Sequence, residues 1–222
     1  MNASDYPHKA TMDVRDACAL ALSRVILAID KVIDGEHVKF NHVFDEWPAD
    51  SEQFDPPAAC VLAPPSWDYS ESSYVPHLLE DTVIQIGPTP PAYGLYKTAE
   101  MLDKFTLAIR ATTTIQRSLL KLVVEEAFQL PNVMQDPQGQ RYGLLLDLPE
   151  YWDLKARASL LGGSNSDSDD AAMRNQREAT FVVSIQADKV QLGEVYPMAL
   201  TVTKTMKAPD GSTTETGATT FA

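Results

Sequence analysis

From Phe40 to Tyr96 the chain carries no lysine or arginine, and the same stretch holds nine acids and nine of the fifteen prolines. Proline removes a backbone donor and pushes the preceding residue toward extended geometry, so this quarter of the chain predicts strands and long loops with little helix. Asp45, Glu46, Asp50, Glu52 and Asp55 open the acidic run. Such a run reads either as a solvated loop face or as an acidic surface with a purpose, such as a pore wall or a docking loop. The whole chain sets 18 cations against 31 acids, a net charge of −13. That balance repels nucleic acid and anionic membranes, although an acidic protein can still surround DNA without gripping it.

A chain of 222 residues with a 44% hydrophobic fraction has material for a sizeable core. At ~100–200 residues per domain it reads as one domain, or as one domain with a large insertion. The expected division is a single α+β domain over 1–192, with 64–100 as a loop insertion, and a C-terminal β extension or arm over 193–222. Cys18 and Cys60 are too few for a disulfide scaffold or a Cys-rich zinc site. There is no run of ~18 apolar residues and no apolar signal region near the N-terminus. The expectation is a chain kept in a reducing cytoplasm or in a particle assembled there.

Periodicity predicts a helix from Asp13 to Asp34, with Val14, Cys18, Leu22, Val25, Ile29 and Val32 on one stripe and Gly35 as its stop. Alternation predicts strands over Val38–Phe44, Ala58–Ala63 and Thr82–Ile86. Lys104–Ala111 alternates as an amphipathic strand and runs straight into a helix over Ile115–Gln129, with Thr112–Thr114 supplying the N-cap. Ile115, Leu119, Leu122 and Val123 mark the expected buried side of that helix, with Glu126 or Ala127 at its end. Tyr142–Leu148 and Trp152–Leu161 read as strands, Gly162–Asp170 as a loop, and Ala179–Leu192 as a long strand burying Phe181, Val183, Ile185 and Ala187. Val195–Met206 reads as a further strand, on an edge because of Pro197. The Thr-rich end reads as a β-hairpin or a mobile arm. With no βαβ repetition, the expected fold class is α+β: a mainly antiparallel sheet with two helices packed on one face, a long Pro-rich loop insertion and an extended C-terminal arm.

No phosphate-binding glycine loop, dinucleotide fingerprint, zinc-protease motif, nucleophile elbow or CxxC occurs. His37 and His42 stand five apart, which on a strand places them on opposite faces and argues against a metal pair. Asn165, Asp167, Asp169 and Asp170 imitate the start of a calcium loop, but Asp170 stands where the bend glycine belongs and Gln176 where the last glutamate belongs. No cofactor and no metal is expected. Trp47, Trp67, Tyr69 and Tyr74 are either packing residues or protein–protein contacts. Arg110, Arg117, Arg141, Arg157, Arg174 and Arg177 are candidates for bidentate pairing with carboxylates at subunit contacts.

The layout resembles the tail-terminator and neck proteins of long-tailed bacteriophages. The resemblance is carried by the N-terminal helix, the strand ending in the acidic Trp-Pro segment Phe40–Pro48, and the short apolar strand Pro57–Leu62. The strand-to-helix run Lys104–Gln129 and the closing strands Tyr142–Leu161 and Glu178–Leu192 complete it. It spans roughly Asp13 to Leu192 as a match of element order and local texture, with 64–100 as an insertion and 195–222 as an extension. It implies a non-enzymatic virion protein assembled in the host cytoplasm as a homo-oligomeric ring, commonly a hexamer. That ring terminates the tail tube, joins it to the head connector and lets DNA pass through an acidic channel without specific binding. The implied partners are the tail tube protein and the head–tail connector proteins, with no membrane. A head–tail connector ring, a carboxylate enzyme using Asp45, Glu46 and Asp50, and a host-binding adaptor are the alternatives.

Overall fold

The computed structural model describes residues 6–48, 55–65, 69–70, 76–85, 92–129, 133–135, 141–166, 177–195, 200–207 and 213–221. In chain order they form α1 (Val14–Leu27), β1 (Asp30–Ile33), β2 (Glu36–Lys39), β3 (His42–Phe44), β4 (Ala58–Leu62), β5 (Tyr69–Ser70), β6 (His77–Leu78) and β7 (Ile84–Gln85). There follow β8 (Ala92–Ala111), α2 (Thr114–Gln129), β9 (Val133–Gln135), β10 (Arg141–Leu148), β11 (Leu154–Ser166), β12 (Arg177–Val195), β13 (Leu200–Lys207) and β14 (Thr213–Phe221). The fold is α+β, with two helices and a curled, mostly antiparallel sheet. No described helix is long and apolar enough to cross a membrane.

The chain divides into two compact units. The larger comprises Pro7–Pro76 and Lys97–Val190. Its strands follow the order β3-β4-β8-β12-β11-β10-β9, with β5 added against β8. β3 and β4 run parallel, while β4–β8, β5–β8, β11–β12, β10–β11 and β9–β10 are antiparallel. Alternation explains the core. Phe105, Leu107 and Ile109 of β8, and Phe181, Val183, Ile185 and Ala187 of β12, are buried, as are Ala156 and Ala158 of β11. Val14, Cys18, Leu22 and Ile26 of α1 and Leu120, Val123 and Val124 of α2 complete it. The smaller unit, Met1–Tyr6, His77–Tyr96 and Gln191–Ala222, pairs β7 with the start of β8 and holds the hairpin β13–β14. Within it, Tyr6 Oη donates to Thr82 O at 2.6 Å. Gly94 lets Leu78 and Val83 approach so closely that a Cβ there would lie 2.9 Å from Leu78 Cδ1.

Several expected elements are corrected. The first helix ends at Leu27 and not at Asp34, because Asp34 (φ 51°) and Gly35 (φ 87°) form a tight turn joining β1 to β2. Both central residues at positive φ match the right-handed strand twist of a two-residue hairpin, and Val32 and Ile33 favour strand. The expected single strand Val38–Phe44 is two strands in different sheets, β2 and β3. Val38 and Phe40 are buried, whereas His42 is exposed. The strand at Lys104 begins much earlier, at Ala92. β11 continues through Gly162, where a loop was expected, to Ser166. The chain end pairs as a hairpin. Of the expected strand Thr82–Ile86, Thr82 closes a 3₁₀ turn and Ile84–Gln85 is strand. Ile86, Asp167, Asp169, Asp170, Gln176, Pro197 and Arg174 lie outside the described residues.

The second helix begins where expected. Thr113 Oγ1 accepts from Gln116 N at 3.1 Å, and Gln116 Oε1 reaches back to Thr112 N at 2.8 Å, a capping-box arrangement. Its buried side, however, is Arg117, Leu120, Val123, Val124 and Phe128. Ile115 and Leu122 face outward, 73% and 51% exposed. The helix has apolar residues on two sides: Val123 is buried as expected, but Ile115, Leu119 and Leu122 of the expected stripe belong to the outer one.

Candidate functional site

Three of the residues singled out by type, Trp47, Arg110 and Arg117, meet around Glu178. Arg110 lies near the end of β8, directly opposite Ala58 of β4, so it stands on the sheet face away from Leu107 and Ile109. Its Nε donates to Glu178 Oε1 at 2.5 Å. The Trp47 ring lies over the same guanidinium, 4.1 Å from Cζ to the ring centroid. Arg is suited to this double role because its flat cation both stacks on an aromatic face and donates to a carboxylate. Arg117, 6% exposed, donates from Nη1 to Glu178 O at 3.3 Å. Phe44 extends the stack, 6.1 Å from Trp47 and 5.8 Å from the His42 ring.

Cys60 lies beside this group. It pairs with Ala108 on the same sheet face as Arg110 and is fully buried. Burial, with Asp45 and Glu46 nearby, pushes its thiol up to about 11, against a smaller opposing pull from Arg110. Cys18, on the buried side of α1 near Asp13 and Asp103, is pushed up to about 12, chiefly by desolvation. Both thiols are protonated near neutral pH, which removes their nucleophilic form.

Asp45, Glu46 and Asp55 are exposed, and Asn41 Nδ2 reaches Asp55 O at 3.4 Å. Asp50, Glu52, Trp67 and Tyr74 lie outside the described residues. Tyr69 is placed by its backbone opposite Met101. Glu178 is the member of the group that sequence reasoning missed, since it lies 68 residues from Arg110 and no local pattern joins them.

A second polar network joins β8 to β12. Lys97 Nζ bonds Asp188 Oδ1 at 2.6 Å and Glu100 Oε2 at 3.1 Å, and Gln186 Nε2 donates to Glu100 Oε1. The Gln186 and Lys97 contacts hold the Glu100 carboxyl below its ordinary range. Arg15 Nε stands 3.6 Å from the buried Asp103 Oδ2. His37 Nδ1 lies 3.3 Å from Asp30 Oδ1 in the β1–β2 hairpin. Among the described residues no three His, Cys, Asp or Glu converge as a metal-holding group. Grooves of about 320 Å³ and about 560 Å³ are lined, respectively, by α2 with β2, and by α1 with β10.

No family model matches this chain, and no curated protein matches it in sequence.

Proposed function

We propose that the protein is a non-enzymatic structural component of a bacteriophage neck or tail end, a ring that terminates the tail tube and joins it to the head side. The observation that carries this reading is the element order. A helix leads into short strands, a long strand enters a capped helix across only Thr112 and Thr113, and long antiparallel strands close the domain. In this reading both helices cover one face of the sheet. The packing of α1 on β3, β4 and β10, and of α2 on β10 and β11, supports that arrangement. The 64–100 segment is the insertion, and 193–222 is the extension toward neighbours.

The charge fits the role. Six copies at −13 carry −78, and a lumen lined with part of that charge repels DNA phosphates, so a genome slides without sticking. Asp45, Glu46 and Asp55, at the start of the run, are exposed and available for such a wall. The light-scattering mass of the purified protein, with negative-stain images of the same fractions, tests the proposal. A ring of about six subunits that caps added tail tubes is expected. A particle that stays monomeric and never associates with tubes or connector overturns it.

A further inference from the structure

We infer that Asp45–Pro48 is a strap, a segment that covers one end of an otherwise open sheet face and lifts from it by local opening while the rest of the fold stays intact. The inference stands with or without a ring.

The first observation is where the strap lies. β3, β4 and β8 set two rows of residues across the sheet, His42–Ala58–Arg110 and Phe44–Cys60–Ala108. Residues side by side in neighbouring strands share a face, so both rows stand on the face away from Leu107 and Ile109. Alternation carries the same face along β8 to Leu102 and across to Val182 of β12. There it is open, with Leu102 65% and Val182 36% exposed. At the other end Ala58 and Cys60 have no exposure at all. What distinguishes the covered end is the chain that follows Phe44. It turns back on itself and lays the Trp47 ring over Arg110, in the row that Phe44 had already passed, with Asp45 and Glu46 near Cys60.

The second observation is how the strap is held. Asp45–Pro48 belongs to no strand and no helix, so no ladder of backbone bonds fixes it. Its hold is aromatic: Trp47 lies 4.1 Å from the Arg110 guanidinium and 6.1 Å from the Phe44 ring. Asp45 and Glu46 are exposed, and Trp47 is half-buried. One cation–π contact and one ring contact are weak beside the cooperative core built on Phe105, Leu107 and Ile109, so the strap is a segment that opens below the cost of global unfolding. Arg110 stays in place when the strap leaves, because its bond to Glu178 of β12 does not involve the strap. Opening joins Ala58, Cys60 and Ala108 to the open face around Leu102 and Val182. It also carries Asp45 and Glu46, the first acids of the base-free run, away from the sheet.

The two buried cysteines supply the test, since Cys60 lies at the covered end and Cys18 lies in the core side of α1. The full chain is treated with iodoacetamide across urea concentrations below its unfolding transition, and alkylation at each cysteine is followed by peptide mass spectrometry. In the parent chain Cys60 is expected to react about tenfold faster than Cys18, or more, at a rate nearly independent of urea. Cys18 is expected to follow the urea dependence of unfolding read by circular dichroism. Trp47→Ala is expected to raise the Cys60 rate by about tenfold and to leave Cys18 within about twofold. Trp47→Phe keeps a ring over the guanidinium and is expected to raise it less, and Leu102→Ala, at the open end, to leave it unchanged. Equal rates and equal urea dependence at the two cysteines of the parent overturn the inference, because the strap then leaves only with the whole fold. That outcome needs no variant. A Cys60 rate that is independent of urea but the same in Trp47→Ala overturns the assignment of Trp47 as what holds the strap.

Discussion

The two helices are of similar length, 14 and 16 residues, and each is capped at its start by an oxygen side chain, yet they spend their apolar residues differently. α1 buries Val14, Ala17, Cys18, Ala21, Leu22 and Ile26 on one side and points Arg24 at Glu150, with contacts at 2.5 and 3.0 Å. α2 buries a guanidinium among its core residues and leaves two large aliphatics in solvent. A helix whose apolar residues fit one face, apart from Leu27 at its last position, is explained by its own sheet. One with apolar residues on two opposite sides has a surface that its own sheet does not explain.

The sharpest way to break this comparison is to truncate leucines on both helices. Leu22→Ala and Leu120→Ala remove fully buried side chains and are expected to cost ~2–5 kcal/mol each in denaturant unfolding. Leu122→Ala is expected to stay within ~0.5 kcal/mol in the isolated chain. Equal losses at positions 120 and 122 would erase the distinction between the two faces of α2. Next in size is Glu178→Gln, which weakens the bond that Arg110 makes and is expected to cost ~1–2 kcal/mol. It should also speed alkylation of Cys60 relative to Cys18 under native conditions, since only Cys60 lies beside that group. The helix starts come next: Asp13→Ala and Thr113→Ala are each expected to cost ~1 kcal/mol, read as a lowered melting temperature. A much larger loss at one of them would show that the two starts are not equivalent.

The smallest effect is acid dependence at the end of α1. Arg24 holds the Glu150 carboxyl below its ordinary value. The pair therefore stabilises the fold above the ordinary carboxylate range, and its contribution is lost as pH falls through the lowered value. Because both partners are partly in solvent the effect is small. An NMR titration of Glu150 should return to the ordinary range in Arg24→Gln, and an unchanged titration would remove Arg24 as the cause.

Much of the scaffold was readable in the residues. Phe181, Val183, Ile185 and Ala187 alternate and are buried, Ala58–Leu62 is a strand, and α2 starts at its threonines. The misreadings have physical causes. Val32 continues the stripe of α1 in helical period, but the Asp34-Gly35 turn takes the chain into a hairpin instead. Leu119 and Leu120 are adjacent on α2, so a period of 3.6 can be threaded through either neighbour, and only the sheet decides which is covered. Gly162 and Gly163 look like a loop, yet Gly163 is a strand residue whose lack of a side chain admits Phe181 and Thr180 O. At the site, residue type pointed to Trp47, Arg110 and Arg117. Their convergence depends on Glu178, which a local pattern has no means of announcing.

The strand order has a consequence for synthesis. β8 lies between β4 and β12 in the sheet, and β12 begins 66 residues after β8 ends, at Arg177. While the chain emerges from the ribosome, β8 can zip onto β4 early, but its other edge waits about 17 seconds at the slow end of elongation, about 5–20 residues per second across the range, before β12 is complete. An edge of this length, with Phe105, Leu107 and Ile109 on one face, is during that wait the segment of the nascent chain most exposed to wrong pairing with other copies. Slowing initiation, so that ribosomes are sparse on the message, should therefore raise the soluble yield of this chain more than lowering the rate of elongation.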